Sequence, residues 1–123
     1  MDTIKSFKDL DVYKKLAKLH LEINELTLKF PKYEMYELGS QLRRSSNSAP
    51  ANIAEGWNNR HINIYIEGIN RALGEAHETE HHIEMAFSKK YFDEKTYSYF
   101  MEGYGECGRM LKGLLRALES KRG

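Results

Sequence analysis

The chain has 123 residues, 41% hydrophobic and 30% charged, which suits one compact unit and lies outside the disordered range. Nineteen basic side chains face 18 acidic ones, and a net charge of +1 gives no whole-molecule field to draw in nucleic acid. One cysteine excludes an intramolecular disulfide, and two prolines without a Gly/Ser tract leave no linker, so residues 1–123 read as a single domain.

The opening, "MDTIKSFKDLD", is too polar for a signal peptide, and no apolar run is long enough to span a bilayer. A cytoplasmic protein without membrane association is therefore expected. The first predicted helix, about residues 9–30, carries Val12, Leu16, Leu19, Ile23, Leu26 and Phe30 at steps of three and four. Asp9 is its expected cap, and Pro31 stops it or starts the next helix.

A second helix, about 33–56, continues through Leu38, Leu42, Ser45, Ala49, Asn52 and Gly56. The third, about 61–89, reads Ile62, Ile66, Ile69, Leu73, Ala76, Glu80, Ile83 and Phe87. The fourth, about 93–120, starts at Asp93 as N-cap and reads Tyr97, Met101, Tyr104, Gly108, Leu111, Leu115 and Leu118. No alternating strand pattern occurs. Four such stripes with short connections predict an all-α, antiparallel up-down-up-down four-helix bundle.

The stretch "QLRRSSNSAPANIAEGW", residues 41–57, departs from leucine packing. Small side chains at Ser45, Ala49 and Gly56 let two helix backbones approach closely. Pro50 removes one backbone hydrogen bond, so a kink is expected there, with Ser46 placed to satisfy the freed carbonyl. The alternative is a chain that leaves the helix at Ala49 and restarts at Pro50. Asn52 on a buried stripe needs partners, and Arg44, Glu55 and Glu75 are the candidates for a polar cluster that fixes register.

The same region carries a family resemblance. "FPKYEMYELGSQLRRSSNSAPANIAEGW" resembles the signature of the bacterial 23S rRNA-intervening-sequence proteins. The matching positions are Phe30, Pro31, Glu34, Tyr36, Leu38, Gln41, Leu42, Arg43, Arg44, Pro50, Asn52, Ile53, Ala54, Glu55 and Gly56. The opening "SFKDLDVYKKLAKL" is similar as well, whereas "NNRHINIY" after Trp57 departs from the family's Gly/Ser-rich turn. The resemblance implies a four-helix bundle with no attached catalytic activity, and homo-oligomers, often pentamers. It also implies kinship with the accessory variability determinant of diversity-generating retroelements, a basic partner of a reverse transcriptase that binds nucleic acid. The near-neutral charge here departs from that relative.

Enzyme-like patterns are few. "HETEH", residues 77–81, matches the zinc-protease pattern, but at 100° per residue Glu78 points nearly opposite the apolar stripe, and no third ligand follows. His77 and His81 are expected to hold a metal only adventitiously. A di-iron centre needs two Glu-x-x-His copies; residues 78–81 supply one, and His20 stands alone. "GYGECG", residues 103–108, lies inside the fourth stripe and not before a helix, so it reads as a close-approach surface. No catalytic residue and no cofactor is expected.

Nucleic-acid contact would fall to Arg43 and Arg44, with Arg60 and Arg71 as neighbours, because arginine pairs phosphate bidentately and stacks on bases. Arg44 is expected to be tied into the polar cluster and Arg43 to be more open. The last helix is also basic, at Arg109, Lys112, Arg116, Lys121 and Arg122 against Glu119 alone. The expected function is a non-enzymatic homo-oligomeric RNA- or DNA-binding or scaffold module. The alternative is an accessory subunit whose protein partner is a nucleic-acid enzyme.

Overall fold

The computed structural model describes residues 3–122, and among them there are helices and no strand. A 3₁₀ turn at Phe7–Asp9 leads into α1 (Asp11–Thr27). A one-turn α2 (Lys32–Met35) precedes α3 (Leu38–Gly56), and the two long helices α4 (Ile62–Ser88) and α5 (Glu94–Arg122) follow. α1, α3, α4 and α5 form the bundle, with α3 on α1 and α4, and α5 on α4 and α1.

Each long helix forms because its apolar residues recur at the helical period. α1 buries Val12, Leu16, Leu19, Ile23 and Thr27, and α5 buries Phe100, Tyr104, Cys107, Leu111, Leu115 and Leu118. Cross-contacts fix the helix directions. Lys15 meets Glu106 and Glu22 meets Tyr99 between α1 and α5. His20 meets Ser46 and Thr27 meets Arg43 between α1 and α3. Ser45 meets Thr79 and Gly56 meets Gly68 between α3 and α4, while Glu84 meets Tyr97 and Asn63 meets Arg122 between α4 and α5. In every pair one number rises as the other falls, the order of antiparallel neighbours.

Three local expectations are corrected. The carboxylate of Asp9 accepts from the backbone amides of Lys5 and Ser6, so it closes the 3₁₀ turn. Leu10, at the N-cap of α1, makes no capping side-chain bond. The helix expected over 33–56 is broken at Tyr36 and Glu37. Two long-range attachments explain the break: the carboxylate of Glu34 receives Lys89 Nζ at 2.8 Å and Tyr91 Oη at 2.6 Å. Arg43 Nη2 then donates at 2.7 Å to the carbonyl of Met35. Pairing with Lys89, followed by the bond from Tyr91, holds the Glu34 carboxyl below its ordinary value.

The third correction concerns α4. Leu73, Glu80 and Phe87, expected on the core stripe, are only half-buried; Ala72, Thr79 and Ala86 take the buried positions. These small residues, seven apart, face a helix that is itself small-sided. The larger ones are displaced toward α5, where the Phe87 ring stacks on Tyr97 with centroids 4.3 Å apart.

Candidate functional site

The stretch 41–57 lies along α3 between α1 and α4, and its small residues set the α3–α4 separation. A Cβ placed on Gly68 would sit 2.8 Å from the carbonyl oxygen of Asn52 and 3.3 Å from the Cα of Gly56. A Cβ on Gly56 would sit 3.0 Å from the carbonyl of Ile64. Further along, the hydroxyl of Thr79 lies 2.8 Å from Ser45 Oγ and 2.8 Å from the carbonyl of Glu75, with both hydroxyls inaccessible to water.

α3 runs unbroken through Pro50, so the chain does not leave the helix at Ala49. Ser46 does not serve its own carbonyl as expected. Its hydroxyl lies 3.3 Å from the carbonyl of Arg43, as donor, and 2.8 Å from His20 Nδ1, which joins α3 to α1. Burial holds the His20 imidazole below its ordinary value, favouring the neutral ring.

Arg44 is tied to Glu75 as expected, whereas Arg43, expected to be the more open, is held by α1 and α2. Arg43 is bound within the bundle, donating to Thr27 Oγ1 at 2.9 Å and to Met35 O. Arg44 is half-exposed and pairs with Glu78 and, at 3.5 Å, with Glu75. Helix geometry is the reason: consecutive residues point 100° apart, which turns Arg43 toward α1 and Arg44 toward α4. Burial would raise the Glu78 carboxyl, but hydrogen bonds from His82 (3.3 Å) and Arg44 prevail and hold it low.

The four-residue polar cluster is thus reduced to an Arg44–Glu75 contact that also takes in Glu78. Asn52 donates to the carbonyl of Ser48 one turn back at 2.8 Å, and exposed Glu55 makes no ion pair among the described residues. Asn52 and Glu55 instead line a cleft of about 390 Å³ on the outer side of the α3–α4 crossing, with Asn63, Ile64, Glu67 and Arg71. Arg71 is paired at 3.0 Å with Glu67 of its own helix. Arg60 is exposed in the loop after α3, away from the Arg43–Arg44 turn.

His77 and His81 are both exposed on α4, and among the described residues no three His, Cys, Asp or Glu side chains are placed to hold a metal together. Burial pushes the Cys107 thiol up to about 11, which keeps it protonated. Of the glycines at 103–108, Gly103 lies against Leu19 and Gly108 against Leu73, so two of the three admit a neighbouring helix.

Sequence reasoning missed Thr79, Gly68, Glu78 and the Glu34–Lys89–Tyr91 latch. The heptad of small residues Ala72, Thr79 and Ala86 was the available signal for the seam on α4. Nothing local marks the latch, whose partners are more than fifty residues apart.

The sequence pattern of the family described as 23S rRNA-intervening sequence protein matches residues 8–113. The chain is also similar to a solved protein of unknown function from the S23 ribosomal protein family from Bacteroides thetaiotaomicron VPI-5482. The two are 26% identical with a TM-score of 0.74, over 85% of this chain and 97% of that one. No curated protein matches it.

Proposed function

From the premise that this chain belongs to the 23S rRNA-intervening sequence protein family, we propose that it is a non-enzymatic, cytoplasmic, homo-oligomeric scaffold that binds RNA or DNA. One observation carries the reading. The polar and small residues of 41–57 are engaged in joining helices: Ser45 to Thr79, Ser46 to His20, Arg43 to Thr27 and Met35, Gly56 to Gly68. A segment used in this way supports a frame, and its one hydroxyl–imidazole contact, Ser46 with His20, has the serine inaccessible to water.

Light scattering with the purified protein tests the assembly: a mass several times 14.4 kDa, up to five-fold, is expected, and a monomer at micromolar concentration would refute it. Gel shift against structured RNA and DNA tests the ligand. Binding that weakens as salt rises supports the reading.

A second reading, a subunit that docks a protein such as a reverse transcriptase, is favoured by a groove of about 300 Å³ between α1 and α3. It is lined by Tyr13, Ala17, Leu21, Pro50, Ala51 and Ala54, with Leu21 64% exposed. Absence of nucleic-acid binding by the protein alone, with co-purification of such an enzyme, would favour this reading.

A further inference from the structure

Of the arginines near the signature, Arg43 is internal and Arg44 and Arg71 already face carboxylates. Exposed Arg60 also forms no ion pair among the described residues, but it is a single cation in the loop after α3. Three unpaired cations lie together elsewhere. Arg109, Lys112 and Arg116 are exposed on α5 and form no ion pair among the described residues. Their spacing of three and four puts them on one face, spanning about 10 Å at 1.5 Å per residue.

This face is low, and the exposed carboxylates that flank it along α5, Glu106 and Glu119, are engaged by Lys15 and Arg122. Gly105 and Gly113 lie in the same stripe, and a Cβ on Gly113 would meet nothing within 4 Å. No packing inside the protomer therefore calls for glycine there, in a helix interior where glycine is disfavoured. The stripe lies on the α4 side of α5, where Gly108 packs on Leu73. Across it, α4 presents exposed Gly74 and His77, and the carboxylate that senses Lys112 is half-buried Glu80. The exposed tyrosines, Tyr33, Tyr36 and Tyr99, all lie toward the other end of the bundle, and Tyr65, the ring on α4 nearest the stripe in register, is half-buried against the core.

We infer that Arg109, Lys112 and Arg116 form a phosphodiester-binding face for double-stranded nucleic acid, gripping successive backbone phosphates without reading bases. This rests on the nucleic-acid reading above and places that activity on α5, not on the Arg43–Arg44 turn. Cations without stacking partners grip a backbone, and a duplex presents its phosphates outward while hiding its bases.

The test is fluorescence anisotropy with a labelled RNA duplex of about 20 base pairs and its separate strand, over 50–300 mM salt. The triple variant R109Q/K112Q/R116Q should lower the slope of log affinity against log salt by about 2.7, and R116Q alone by about 0.9. R44Q/R71Q should leave the slope unchanged, and helical circular dichroism should match wild type in all three. A triple variant that binds duplex with wild-type affinity and slope overturns the α5 assignment while leaving the nucleic-acid reading intact. Failure of the wild-type protein to bind either RNA or a DNA duplex of the same length overturns both. Tighter binding of the separate strand, or equal binding of polyglutamate, also sinks the assignment, since the face would then serve bases or an acidic protein.

Discussion

Arg43 and Arg44 are adjacent in sequence and opposite in role, and the difference is measurable. Removing Arg43 strips a donor from the carbonyl of Met35 and from Thr27 inside the bundle. Arg43→Ala should cost about 1–3 kcal/mol in urea unfolding, the penalty for partly buried groups left unpaired. Arg44→Ala removes a half-exposed ion pair and should cost less than about 1 kcal/mol. Equal losses would show that the assignment of the pair is wrong. Tyr104 gives a change of opposite sign. Its hydroxyl is buried with no hydrogen-bond partner among the described residues, and burial pushes its pKa up. Tyr104→Phe should raise stability by about 1 kcal/mol, and a loss would mean the hydroxyl is bonded in solution. The presence of two arginines was legible in the sequence, but their environments were not. Which faces inward depends on how α3 is rotated, and the break before α3 is set by Lys89 and Tyr91, more than fifty residues away.

Among the helices, the α3–α4 seam carries the most specific claim, and glycines test it because their consequences diverge. On Gly68 a methyl would be forced to 2.8 Å from the backbone carbonyl of Asn52, with no flexible side chain to yield. Gly68→Ala should destabilise by about 1–3 kcal/mol, as overpacking does. On Gly113 the same methyl enters open space, so Gly113→Ala should stabilise by up to about 1 kcal/mol through helix propensity. Thermal melts of the two variants shifting in the same direction would contradict the seam. The α3 side of this seam was legible, because Ser45, Ala49 and Gly56 interrupt a leucine pattern at contact spacing. The α4 side was misread by about one position. Apolar size favours Leu73, Glu80 loses little by sharing its stripe, and only knowledge of the narrow partner selects Ala72 and Thr79.

For the molecule as a whole, fold class was readable from four stripes, whereas assembly and ligand depend on surfaces that periodicity does not describe. Stability should fall with acid in two stages. His20 has its folded pKa below the ordinary 6.5. The unfolded chain therefore binds the proton first, and stability present above 6.5 is lost as pH falls through the lower folded value. Glu34 and Glu78 have folded values below the ordinary 4.5, so their contribution, full above 4.5, is lost as pH falls further. Urea midpoints from pH 8 to 3 should show both stages, with the upper one absent in His20→Gln and the lower one reduced in Glu34→Gln. An unchanged profile in both variants would refute these assignments. The most direct measurement of the central claim, that residues 41–57 are frame, is native-state hydrogen exchange of α3. If the seam is structural, the amides of Ser45–Gly56 open only with global unfolding and share its free energy. Exchange of this segment through a local opening, while α1 and α5 stay protected, would identify a mobile binding element and contradict the account.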